Sequence, residues 1–374
     1  MATTISQRLV RRAARCFCSA REASAAADTH FGFRQVPVEE KHHMVREVFD
    51  SVADSYDVMN DVMSAGMHRL WKDDFVRRIG AEHMVAAAAA AATTPTPTGA
   101  ASSGERAVRF LDVAGGTGDI AFRIADAAAR GRRKAMTSLT SMASAPPRPE
   151  IVVSDINRKM LDVGERRAEQ RGIGTDANGP QLSWVEANAQ ELPFDDDSFD
   201  VYTIAFGIRN VTNIPAALSE ARRVLRPGGR FLCLEFSAVR NPLFASVYDA
   251  YSMSVIPSMG ELVASDRTSL RSRFRAPQRL ALSLSRSLAL SLSRSLAHAS
   301  THVHALLSTL ARATPPPIAR LHHTGDSYQY LVESIRKFPK QEAFETMLAD
   351  AGFRCTAHDD LMGGIVAIHT GFSV

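Results

Sequence analysis

Val45, Val48, Phe49, Val52 and Ala53 recur at helical spacing, and this period predicts two or three helices between Val45 and Ile79. Further on, short unbroken apolar runs replace it. Val108 to Val113, Ile151 to Asp155, Leu182 to Glu186, Val201 to Phe206 and Phe231 to Phe236 each read as a strand. Strands that are apolar throughout, rather than on alternate residues, belong to parallel sheets covered on both faces. Helical stretches separate them, from about Asp119 to Arg130, from Ile156 to Gln170 and from Ile214 to Leu225. Near the end, residues 328–338 and 340–351 read as helices parted by Pro339, and two strands follow, around Cys355 and at Gly364–Ile368. Alternating strands and helices predict an α/β fold: a seven-stranded, mostly parallel sheet with helices on both faces and one antiparallel strand at its end.

Three stretches break this pattern. Residues 85–105 are low-complexity (VAAAAAAATTPTPTGAASSGE) and read as a disordered or weakly helical insert, and residues 132–149 read as a polar one. Between 263 and 326 the chain changes character again. Leu280–Ser287 recurs letter for letter as Leu288–Ser295, a period too short for a solenoid unit. This third stretch reads as disordered or as a mistranslated non-coding segment. Residues 106–262 and 327–374 are then the two parts of one interrupted domain, preceded by a helical lid over 28–84.

Charge sharpens the picture. The chain of 374 residues is formally +4, but residues 1–27 hold five arginines against Glu22, and residues 267–325 hold nine arginines and no acid. The remainder is therefore net −9, and no nucleic-acid partner follows from the overall basic balance. An Arg-, Ser- and Ala-rich leader almost free of acids has the composition of an organelle transit peptide, mitochondrial first and plastid second. Cys16, Cys18, Cys233 and Cys355 show neither a disulfide framework nor metal-ligand spacing downstream of the leader, and no metal is expected.

The candidate chemistry centres on Gly115-Gly116-Thr117-Gly118, between the first strand and its helix. Glycines there let the backbone approach a ligand, and the free amides of the helix's first turn point at it. Asp155 ends the second strand, where an acid reaches the ribose diol of an adenosine cofactor or caps the next helix. Gly116 to Ala121 also fits the dinucleotide fingerprint, so the loop alone leaves NAD and S-adenosylmethionine both open. Arg209 and Asn210 sit at the carboxyl end of the fourth strand, the edge where open α/β sheets bind ligands. Residues 56–71 and 248–260, rich in Met, Trp and Tyr, are either core or a cover for a greasy substrate.

Four motifs carry a resemblance: YDVMNDVMSAGMHRLW at 56–71, the glycine loop, FGIRNVT at 206–212 and RVLRPGGRFLCLEFS at 223–237. Over about residues 30–368 the chain resembles the ubiquinone/menaquinone C-methyltransferase family, and that resemblance favours S-adenosyl-L-methionine over NAD. It implies the class I methyltransferase fold, with Thr117, Asp155, Asn188 and Ala189 at the cofactor. Further implied are a polyprenyl benzoquinol substrate, companion ubiquinone-biosynthesis proteins in a complex, and peripheral contact with the matrix side of the inner mitochondrial membrane. A cofactor-binding scaffold without turnover is the alternative of a different class.

Methylating an aromatic carbon needs an electron-rich ring, and a quinol becomes one as a hydroxyl loses its proton. Positioning, exclusion of water and help with that proton are then the protein's tasks. Arg209, with Asn210 beside it, is the candidate for stabilising the phenolate or orienting a water, and Tyr56, Asp57 and Asn60 are candidates for holding the ring.

Overall fold

The computed structural model describes residues 28–31, 33–37, 40–41, 43–47, 60, 64, 66–92, 106–138, 147–174, 179–240, 242, 245 and 324–374. Tyr56, Asp57, the leader, residues 248–260 and the repeat segment lie outside them.

A two-stranded antiparallel hairpin comes first, β1 (Asp28–Phe31) and β2 (Arg34–Pro37), where the sequence suggested only helix. Helices α1 (His68–Ile79) and α2 (Ala81–Ala92) follow. The parallel unit consists of β3 (Arg109–Val113), α3 (Asp119–Ser138), β4 (Glu150–Asp155), α4 (Arg158–Gln170), β5 (Gln181–Glu186), β6 (Phe199–Ala205), α5 (Ile214–Val224) and β7 (Leu225–Phe236). The chain closes with α6 (Thr324–Lys337), α7 (Gln341–Asp350), β8 (Arg354–Leu361) and β9 (Val366–Phe372).

The sheet has seven strands in the order β5-β4-β3-β6-β7-β9-β8. Successive strands run outward from β3 on one side and from β6 on the other, so the switch point lies between those two. The antiparallel strand, β9, is last in the chain but not at the rim of the sheet. It pairs with β7 and β8, and β8 forms the edge.

Alternate residues of each strand fill opposite cores. Phe110, Ile151, Val153, Val201 and Leu232 pack with α1, α2, α3 and α4, whereas Leu111, Val113, Val152, Tyr202 and Phe231 pack with α5 and α7. This two-sided burial is what made the strands uniformly apolar.

Several expectations are corrected. α1 is not a lid: Trp71, Phe75 and Ile79 are buried in the core beneath the sheet. The alanine run is helical through Ala92, with Val85 and Ala89 buried; alanine is the strongest helix former and its small side chain permits close packing. Helix α3 runs to Ser138 rather than Arg130, because Ala128, Arg132 and Ala135 continue its buried stripe and Arg132 Nη1 reaches the Pro147 carbonyl at 3.2 Å. Asp200, early in β6, is clasped by Arg106 at 2.7 Å, Arg226 at 2.9 Å and the Arg109 amide at 2.8 Å.

Candidate active site

The glycine turn is forced by its surroundings. A Cβ on Gly115 would lie 2.6 Å from Val153 and 2.9 Å from Asp112 Oδ2, and one on Gly118 would lie 2.6 Å from Trp184. Gly116 and Gly118 both have positive φ, 55° and 82°, which glycine adopts without strain. The Gly115 amide donates to the Ser154 carbonyl at 3.1 Å, fastening the turn to β4.

Asp155 completes this corner. Its Oδ2 accepts the Gly116 amide at 2.9 Å and its Oδ1 the Asn157 amide at 2.8 Å. The cap of α4 is Asn157, whose side chain accepts from the amides of Lys159 and Met160; the capping role weighed for Asp155 is therefore filled by another residue, and α4 starts at Arg158. Burial pushes the Asp155 carboxyl up to about 6, against the pull of the amides that it accepts.

Asn188 and Ala189 stand just past β5. The Asn188 side chain accepts from both nitrogens of Gln190, at 3.0 and 3.1 Å, and Gln190 Oε1 accepts the Asn213 amide at 2.9 Å. The Ala187 amide donates to the Asp155 carbonyl at 3.0 Å, tying the ends of β4 and β5 together. The chain thus brings Gly116, Asp155, Asn188, Ala189 and Asn210 onto one cleft, with Ile156, Phe206 and Val211 as its apolar wall.

Other expected residues fall differently. Thr117 is buried and faces a neighbouring groove lined by His68, Asp119, Phe122 and Arg123. It adjoins Gly116 in the chain but does not itself line the cleft. The Asn60 carbonyl accepts from Ser64 Oγ at 2.7 Å, and Asn60 does not line the cleft. Arg209 lies deeper than Asn210. Its side chain is 5% exposed, and Nη1 donates to the Phe206 carbonyl and to Glu235 Oε1, both at 2.7 Å. The guanidinium is half of a buried ion pair, not an isolated cation. Asn210, by contrast, faces the cleft, and its Oδ1 accepts from Tyr330 Oη at 3.0 Å. Tyr330 stacks on Phe31 of the hairpin with centroids 4.0 Å apart, so β1 buttresses the site.

Sequence reasoning passed over Asp112. Buried in β3 beneath the turn, it accepts from Thr203 Oγ1 at 2.8 Å, while its Oδ2 has no partner among the described residues. Burial pushes its carboxyl up to about 7. An acid inside an otherwise apolar strand was the available signal, since a buried carboxylate is costly unless something compensates it. At the start of α3, burial raises Asp119, but Lys72 at 2.9 Å and Arg123 outweigh it and hold the carboxyl at about 2.

The residues present fit an adenosyl cofactor. An ionised carboxylate offers about four acceptor sites, of which Asp155 gives two to amides, leaving others for a ribose diol. Ile156, 36% exposed beside it, offers an apolar face for a flat base. The cleft lies at the carboxyl ends of the strands beside the switch point, where such sheets bind nucleotides.

Comparison with known proteins agrees. The ubiE/COQ5 methyltransferase family matches residues 36–275 and 308–373. The chain is 43% identical over 369 residues to a Danio rerio protein named 2-methoxy-6-polyprenyl-1,4-benzoquinol methylase, mitochondrial, covering 94% of this chain and 86% of that one. Proteins of the same name from Arabidopsis thaliana and Homo sapiens are each 41% identical, covering 92% and 93% of this chain and 90% and 85% of theirs. Among solved structures, the complex of the Haloferax volcanii Trm112 methyltransferase activator and the putative methyltransferase matches at a TM-score of 0.40 and 13% identity, covering 88% of this chain and 97% of that one. With its glycine turn, the acid that fastens it and a family match over most of its length, this chain belongs to the ubiE/COQ5 methyltransferase family.

Proposed function

We propose that this protein transfers the methyl group of S-adenosylmethionine to a ring carbon of a polyprenyl benzoquinol in mitochondrial ubiquinone biosynthesis. The observation that carries the substrate is the identity of 41–43% with benzoquinol methylases over more than nine-tenths of the chain. When bound, the cofactor's sulfonium supplies an electrophilic methyl group. The chain's own residues bind, orient and manage a proton. Asp155 accepts the ribose hydroxyls, Asn188 and Ala189 flank the adenine, and Gly116 lets the backbone close on the ligand. Thr117, next to Gly116 in the turn, acts through its backbone.

In-line placement of the two reactants supplies ~7–11 kcal/mol of the barrier, so the site needs no strong base. Asn210, steadied by Tyr330, orients the quinol hydroxyl, and Arg209 stabilises the phenolate that forms. Tyr56 and Asp57 hold the ring from the N-terminal segment. Residues 1–27 address the protein to the mitochondrion. It works at the matrix face of the inner membrane, peripherally and alongside companion biosynthetic proteins; among the described residues no helix is long and apolar enough to cross a bilayer. Residues 276–307, which the family match omits, are an addition to the catalytic unit.

The test is transfer of labelled methyl from S-adenosylmethionine to a short-chain demethyl quinol, with the product's new C–C bond located by mass spectrometry. Cofactor binding without any transfer would instead support a scaffold without turnover.

A further inference from the structure

Glu235 closes β7 with its side chain wholly buried. Its Oε1 accepts from Arg209 Nη1 at 2.7 Å and from the Phe236 amide at 2.9 Å. Glu235 Oε2 and Arg209 Nε, both buried, have no hydrogen-bond partner among the described residues. A buried ion pair is a poor device for stability alone, since apolar groups of similar volume often serve as well or better. A carboxylate oxygen without a donor adds to that cost. This pair stands at the carboxyl edge of the sheet, on the loop whose next residue, Asn210, lines the cleft.

The ionisable groups around the loop are each engaged elsewhere: Lys41 Nζ donates to the Val211 carbonyl at 3.3 Å, Asp155 accepts the amides of Gly116 and Asn157, and Asp112 accepts from Thr203. On β9 the residues opposite Glu235 and its neighbours are Ala367, Val366 and Ile368, none of them titratable. Cys233 on the same strand and Tyr330 across the loop are both pushed up by burial and stay protonated. Burial also pushes the Glu235 carboxyl above its ordinary range, against the pull of Arg209.

We propose that Glu235 stores the proton of the quinol hydroxyl, acting through Arg209 as a positioning residue that does not itself touch the ring. This rests on the reading of the protein as a quinol C-methyltransferase. Before reaction the Glu235 carboxylate balances the Arg209 guanidinium. The hydroxyl proton then passes through one water to Glu235, and the negative charge moves to the quinol oxygen, where Arg209 faces it instead. The ring's electron pair forms the bond to the methyl carbon as the carbon–sulfur pair leaves with sulfur. The ring carbon next gives its hydrogen to water as a proton, and Glu235 returns its own proton to the oxygen. One proton is released per turnover, and the buried cluster keeps its net charge until that release, which avoids the cost of creating charge away from water.

The experiment uses the full-length protein, labelled cofactor and a short-chain demethyl quinol across the pH range. E235Q, which keeps the shape, should lower kcat by about 100-fold, the scale of a general-base contribution, with cofactor Kd and quinol KM unchanged. Its remaining rate should climb in proportion to hydroxide. A quinol analogue with an electron-withdrawing substituent, ionised before it binds, should be methylated by E235Q as fast as the parent protein methylates that same analogue, and Arg209→Gln should remain slower on it. E235D, which retains a carboxylate, should keep the parent pH profile. A parent-like kcat in E235Q, or a loss that the ionised analogue leaves in place, overturns the proposal. If E235Q fails to bind cofactor, E235D decides, and a changed pH profile there overturns it too. Absence of transfer by the parent protein would count against the functional reading, not against Glu235.

Discussion

Asp155 Oδ2 accepts the amide of Gly116 at 2.9 Å, so the acid that ends β4 holds the glycine turn in place as well as facing the cleft. Asp155→Ala should therefore weaken cofactor binding through both effects. Hydrogen bonds to a charged group contribute about 1.5–3 kcal/mol, and calorimetric titration should show a loss on that scale or larger. An unchanged Kd would remove Asp155 from the cofactor site.

Asp112 and Asp155 make the site sensitive to pH. Burial raises their carboxyls to about 7 and about 6, so the folded protein without ligand favours their protonated forms. Their contribution to stability is full below the ordinary carboxyl range and is lost as pH rises through 6 and 7. The melting temperature of the ligand-free protein should fall across that window. A cationic cofactor favours the ionised forms, so its affinity should rise over the same window and binding should release protons. Calorimetry in buffers of different ionisation enthalpy would detect the release. Asp112→Asn should remove the upper part of the dependence.

Gly207 leads into the Arg209–Asn210 turn, and a Cβ there would overlap that of Ala114. Gly207→Ala should destabilise by about 1–3 kcal/mol, the usual range for overpacking. Ala114 itself has a φ of 51°, a conformation that costs a residue with a Cβ about 1–2 kcal/mol. Ala114→Gly should thus relieve strain alone and rescue Gly207→Ala in the double variant. Additive thermal shifts across the cycle would show that the two positions do not meet.

Tyr330 reaches the site through its hydroxyl, which donates to Asn210. Tyr330→Phe keeps the ring that stacks on Phe31 and removes that donor. Loss of one hydrogen bond is worth about 1 kcal/mol, so kcat/KM for the quinol should fall about fivefold, with cofactor affinity little changed. A drop in cofactor binding as large as the drop in turnover would place Tyr330 elsewhere.

Deleting residues 276–307, which the family match leaves out, should preserve cofactor binding and methyl transfer. β7 and β9 pair directly from Arg230↔Phe372 to Phe236↔Val366, so the sheet closes without that stretch. Complementation of a cell lacking this methylation, with the whole and the shortened chain, would report the outcome. Loss of cofactor binding in the shortened protein would show that the stretch belongs to the fold.

Read without coordinates, the chain yields four of its five parallel strands to within about two residues, its glycine turn and the acid at the end of the second strand, while β7 begins at Leu225 rather than Phe231. Those features have local signatures: two-sided burial makes a strand apolar throughout, and a tight turn with positive φ calls for glycine. The placement of side chains has no such signature. That Arg209 meets Glu235, twenty-six residues away, that Thr117 borders the neighbouring groove, and that Tyr330 arrives from the far end of the chain to hold Asn210 were settled only by packing. The alanine helix makes the same point, since its composition is equally that of a disordered insert until α3 covers Val85 and Ala89. Local pattern determines which segments are strands and helices; the partner of a buried charge depends on strand order and on which face each residue takes, and only the folded chain establishes those.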